Sequence, residues 1–141
     1  MDLEHPGDPS TEEANIEIVR RYLRVFETKR VADLEELVAE DVLVHGAGFH
    51  RRGRQHPTAA VLTPGLSGCR VQVNDLHASG DRVTVAFTLT YTHDRTGRDL
   101  TMTGLKSYRL RGGRIVEFWG ETDLYGLLRQ AGLVPDRIPA L

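Results

Sequence analysis

The sequence predicts an α+β domain in which helices near the N-terminus cover one face of an antiparallel sheet. Three features carry that expectation. Apolar residues recur at helical spacing from Ile16 to Val38, period-two alternation dominates from Cys69 to Thr122, and a short helix with its own cap follows. A chain of 141 residues fits one domain able to bury about two thirds of its unfolded surface, with no metal or disulfide required.

Residues 1–9, with two prolines and three acids, read as a disordered lead-in, and 10–141 read as the single domain. Ser10 followed by Glu13 makes a capping box. Ile16, Val19, Leu23 and Phe26 then form an apolar stripe that Ile18, Tyr22 and Val25 widen. Asp33 with Glu36 repeats the box before Leu34, Leu37 and Val38, predicting a second short helix packed against the first. After Asp41, VLVH reads as a strand. GAGFHRRGRQHP is rich in glycine and basic side chains and reads as a mobile surface loop. Thr58 to Leu62 form a short helix with Pro57 in its first turn.

From Cys69 the chain is strand and turn. CRVQVNDLHA alternates, and in RVTVAFTLTYTH the residues Val83, Val85, Phe87, Leu89 and Tyr91 share one face. DLTMTGLKSYRLR returns after a hairpin loop, and a tight RGGR turn leads into IVEFWGET. Asp123 caps a last helix, LYGLLRQA, which Gly132 closes. A polar Tyr91 at the end of an apolar wall is what a ligand pocket presents at its edge.

The formal charge of −2 with interspersed signs excludes a nucleic-acid stripe, and no segment suits a bilayer or its surface. The N-terminal segment lacks the apolar core of a secretory signal, and Cys69 stands alone, so a cytoplasmic protein is expected. The histidines show no zinc spacing, so no metal is expected. Of 18 lysines and arginines only Lys29 and Lys106 are lysines, which draws attention to Lys106.

Two blocks together resemble the SnoaL-like family. GGRIVEFWGETDLYGLLRQAG is similar to its C-terminal signature, and IVRRYLRVFETKRVADLEELVAEDVLVH to its two-helix opening. The resemblance spans roughly residues 15 to 135. It implies the cone of the nuclear transport factor 2-like superfamily: a curved antiparallel sheet with the N-terminal helices on its concave face, enclosing a pocket. It further implies cofactor-free acid–base chemistry on a bulky apolar carbonyl compound of polyketide type, and a homodimer through the outer sheet face. In such chemistry a base removes a proton beside a carbonyl while a donor stabilises the enolate.

Carried over residue by residue, the resemblance sets Tyr22 where ketosteroid isomerases keep their enolate-binding tyrosine. It sets Gly46 where they have a base, Lys106 near the cyclase histidine, Gly120 at the cyclase aspartate, and Asp123 at the aspartate of the last helix. Lys106 shares parity with Met102, Gly104 and Tyr108, facing the pocket, where desolvation lowers a lysine pKa and fits it to act as electrophile or base. His45 and His50 are the candidate general bases. Alternation turns His45 away from the face of Val44 and Gly46, which favours a structural role, and His50 sits in the basic loop, either as a solvated histidine or as part of a lid over the pocket. Glu117, Trp119 and Glu121 share the outward parity, and only a bulge at Gly120 would turn Glu121 into the pocket. Asp123 reads first as a helix cap. Phe26, Phe87, Leu89, Tyr91, Met102, Tyr108 and Phe118 are expected to bind the substrate, and the three glycines 46, 104 and 120 to enlarge the cavity. The alternative function is a non-catalytic small-molecule binder or scaffold that has lost the usual carboxylates.

Overall fold

The computed structural model describes residues 9–46 and 48–138. Its elements run α1 (Pro9–Thr28), a 3-10 turn (Val31–Asp33), α2 (Leu34–Leu37), β1 (Val38–Gly46), β2 (Phe49–Arg52), α3 (Gln55–Val61), β3 (Leu66–Ser79), β4 (Arg82–His93), β5 (Asp99–Arg111), β6 (Arg114–Thr122) and α4 (Leu124–Gln130). The expected lead-in falls outside the described residues, apart from Pro9, which begins α1. The six strands form one curved, open sheet in the order β2-β1-β6-β5-β4-β3. This is the α+β architecture expected, with one correction: the sheet is mixed, because β1 lies parallel to β6.

The local reasons are legible. The apolar stripe of α1 buries Val19, Tyr22, Leu23, Val25 and Phe26, and α1 packs chiefly on β3 and β4. Lys29 ends α1 in the left-handed region (φ 59°). Its N–H donates to the Val25 carbonyl at 2.7 Å and its Nζ to the Leu66 carbonyl at 3.2 Å, tying the helix end to β3. In β4 the alternation seen in sequence is the alternation of burial, with Val83, Val85, Phe87, Leu89 and Tyr91 all buried. Gly112 and Gly113, both at positive φ, make the two-residue β5–β6 turn.

The first half departs from expectation. Asp33 makes no cap hydrogen bond, because the preceding residues have already entered a 3-10 turn and it is itself helical; α2 is a single turn. β1 begins at Val38 rather than after Asp41. Its register against β6 jumps between Val38 and Leu43, and the carbonyls of that bulged stretch find donors elsewhere. Gly53 N–H donates to Val42 and Arg54 N–H to Glu40, while the Arg52 and Arg54 side chains reach Asp41 and Val38. The segment expected to be a mobile loop is therefore an edge strand, β2, paired antiparallel to β1, followed by α3.

At the other end β6 runs out at Thr122, opposite Gly104. The exposed backbone of β5 beyond it is taken up by α4. Asp123 N–H donates to Thr103, the Gln130 side-chain oxygen accepts from Thr101 N–H at 2.9 Å, and Gln130 Nε2 donates to the Thr101 carbonyl at 2.8 Å. These contacts hold Leu124 at the mouth of the cavity.

Candidate functional site

A cavity of about 410 Å³ lies between α1 and the sheet, within the size range of small-molecule sites. Of the residues expected to bind substrate, Phe26, Phe87, Leu89, Tyr91, Met102 and Phe118 line it. Tyr108 does not. It is fully buried beneath the wall, edge-on to Tyr22 with ring centroids 5.6 Å apart. The pleat of β5 puts Tyr108 on the cavity side, but α1 covers that end of the sheet.

Lys106 extends into this apolar space. Its Nζ lies 5.2 Å from the Phe118 ring centroid, 5.6 Å from Phe26 and 5.8 Å from Phe87. It makes no hydrogen bond or ion pair among the described residues, and burial lowers its pKa from 10.5 to about 8. Tyr22, on α1, is wholly buried and contributes to the cavity wall. Neither its hydroxyl nor that of Tyr108 has a hydrogen-bond partner among the described residues, and desolvation raises both pKa values.

Of the three glycines, Gly46 and Gly120 border the cavity and Gly104 does not. Each makes room for a neighbour. A Cβ on Gly120 would come within 3.1 Å of Cγ and Cε of Lys106, so the lysine stem lies directly over this glycine. A Cβ on Gly104 would strike the Phe87 ring. A Cβ on Gly46 would strike the backbone carbonyl of Gly120, so a side chain at this position requires the backbone to shift.

The histidines sort differently from expectation. His45 turns its ring nitrogens to His50 and Glu117 on the outer face, as alternation implied, while the residue still borders the cavity wall. His50, expected in a solvated loop or a lid, is instead held on the outer sheet face by β1–β2 pairing. There the two Nδ1 atoms approach to 2.5 Å, His45 Nε2 meets Glu117 Oε2 at 2.7 Å, and Trp119 stacks on His45 with centroids 3.8 Å apart. An ionised Glu117 accepts from the Nε2–H. Its pKa is lowered first by that bond and then by Arg109, whose Nε donates at 3.0 Å. Glu121 also stays outside the cavity proper. The β5–β6 register is unbroken from Arg109↔Glu117 to Gly104↔Thr122, so Gly120 carries no bulge, and Glu121 is an exposed residue at the cavity edge. Asp123 caps α4, its Oδ1 accepting from Gly126 N–H at 2.9 Å, and does not border the main cavity.

Sequence reading passed over His56, which α3 carries to the cavity wall together with Pro57 and Ala60. Only the pairing of β2 with β1 shows that this segment folds back over the site, and no local signal marks it. Phe49 of β2 joins the same wall. Among the described residues no group of three or more His, Cys, Asp or Glu is arranged to hold a metal ion, and no helix is long and apolar enough to cross a membrane.

Comparison with known proteins agrees with this geometry. IdmH from Streptomyces antibioticus, a proposed polyketide cyclase, is 26% identical, with a TM-score of 0.74 over 84% of this chain and 98% of its own. AclR from Streptomyces galilaeus, a proposed hydroxylase, shares the fold at 18% identity and TM-score 0.77, covering 91% and 90% of the two chains. An epoxide hydrolase of the LEH-like type from M. tuberculosis does so at 15% and 0.70, covering 84% and 90%. Comparison with curated proteins gives no match. The SnoaL-like domain profile matches residues 19–118, most of the chain and nearly every cavity-lining element, and the protein belongs to that family.

Proposed function

We propose that this protein is a cofactor-independent acid–base enzyme of cyclase, isomerase or dehydratase type, acting on a bulky apolar polyketide-like carbonyl compound in secondary metabolism in the cytoplasm. The observation that carries this reading is Lys106. It brings a lone ammonium into a cavity walled by aromatic rings, with the unpartnered Tyr22 hydroxyl buried nearby.

Negative charge developing on a carbonyl oxygen is stabilised most where donors are fixed and water is excluded. Lys106 and Tyr22 are the two such groups, and the apolar rings around them keep the local dielectric low. Removing the proton falls to His56, the histidine whose side of the cavity is formed by α3, with Glu121 at the rim as the alternative carrier. His45 and His50, turned outward, have no part in it. Likeness to a proposed polyketide cyclase supports the substrate class. The exposed Trp119 and Leu105 on the outer sheet face support a homodimer through that face, which leaves the cavity free.

The test is kinetic. On an aromatic polyketide panel, Lys106→Ala is expected to lower kcat by roughly a hundredfold or more with a much smaller change in ligand affinity. Equal losses in both would count against the reading. Because the charged form is the electrophile, kcat should fall as pH rises through about 8.

A second reading, a binder without catalysis, is favoured by one observation: glycines stand at the two positions where the resemblance sets carboxylates, and at Gly46 a side chain would strike the Gly120 carbonyl. Tight binding without turnover on the same panel would select it.

A further inference from the structure

We propose that the cavity takes an apolar molecule bearing one anionic oxygen group, a carboxylate or an ionised phenol or enol, seated against the Lys106 ammonium. This rests on reading the cavity as a ligand site and adds the charge of the ligand.

Among the described residues the Lys106 ammonium has no carboxylate within ion-pairing distance, and the one carboxylate bordering the cavity is Glu121 at its edge. The other ionisable side chains on the elements around the cavity are Tyr22 from α1, His45 from β1, whose ring nitrogens meet His50 and Glu117, His56 from α3, Tyr91 from β4, and Glu121 near the end of β6. Both tyrosines are driven further toward their neutral forms by burial. Glu121 is exposed and shares the outward parity of Leu105, its partner across the β5–β6 pair. Glu117, the other acid of β6, is committed on the outer face to His45 and Arg109. The aromatic faces near Nζ recover part of what the ammonium loses on leaving water, but they supply no full negative charge. A buried ion is stabilised when a counter-ion with good geometry completes the pair. A ligand without an anionic group would leave the cation unmatched until charge develops during reaction, whereas one that carries an anionic oxygen beside its carbonyl framework would complete the pair on binding and lay its apolar body against Phe26, Phe87 and Leu89.

The experiment compares shape-matched probes, 2-naphthoate and 2-naphthamide, by titration calorimetry on the full chain at pH 7. A third probe, 4-nitro-1-naphthol, is followed by its visible spectrum below its own pKa. The naphthoate is expected to bind at least tenfold tighter than the amide. That advantage should fall to within twofold in Lys106→Met, and in the unaltered protein at pH 10, where the lysine is discharged but the acid is not. Capture of the nitronaphthol as its coloured anion, without a naphthoate preference, would assign the ionised phenol or enol class. An amide bound as tightly as the acid, with the naphthol held neutral, would overturn the proposal, and so would failure of all three to bind at millimolar concentration. Turnover is not read. An acid preference in a protein that converts nothing would keep this inference and discard the enzymatic one.

Discussion

Lys106 and the glycines beside it show how single residues decide what this cavity is. Gly46 faces the carbonyl of Gly120 so closely that even a methyl group must displace backbone. Gly46→Ala should therefore destabilise the fold by roughly 1–3 kcal/mol, as overpacking does, read as a lowered urea midpoint; an unchanged midpoint would show that the two strands are free to part. Lys106 makes a prediction with a sign. Its pKa is about 8 in the folded chain against an ordinary 10.5, so between those values the unfolded chain holds the extra proton and stability rises with pH. Below pH 8 the penalty is complete, and above 10.5 it is gone. Lys106→Met should stabilise the protein at pH 7 by about 1–3 kcal/mol, less than the full shift implies because the residue keeps some exposure, and the gain should shrink between pH 8 and 10.5. A difference that does not vary with pH would refute the burial of the charge. Lys106 was legible from its parity in β5 together with the family resemblance that assigned that parity to the pocket. That its stem lies over Gly120 was not, because it depends on the β5–β6 register.

Among the elements, those with strict local patterns matched their expected form. β4 alternates without interruption, and α4 carries its own cap. Asp123→Ala should cost about 1 kcal/mol and raise hydrogen exchange at Gly126 without altering the cavity's ligand preference; a changed preference would return Asp123 to the site. β2 was not legible. Phe49–Arg52 has the composition of a solvated loop, and it becomes a strand only because β1 offers an unpaired edge and His45 a partner for His50. The same edge pairing brings α3, and with it His56, to the cavity wall, which is why that histidine went unremarked while His45 and His50, whose rings engage one another and Glu117, were nominated.

For the molecule as a whole, the cavity exists because a curved sheet and a single long helix cannot close completely on one another. Residues from Tyr22 to Leu124 meet there, so no short window of sequence describes it. The outer face raises the question of assembly. Trp119 is 49% exposed and Leu105 60% exposed on one side of β5 and β6. Sedimentation equilibrium is expected to give twice the 15.8 kDa chain mass, reverting to one chain in Trp119→Glu; a monomeric native protein would sink the dimer.

By itself the sequence determined the elements whose signals are local: helix stripes, strand alternation, turn glycines, the Asp123 cap, and which face of each long strand is apolar. These follow from steric periodicity and hydrogen bonding within a few residues, which any context preserves. Tertiary structure alone decided the parallel β1–β6 pair, the edge strand β2, the outward Glu117–His45–His50 chain and the inward His56. Each depends on which distant backbone supplies a hydrogen-bonding partner, and residues far apart in sequence acquire that partner only when the sheet is assembled.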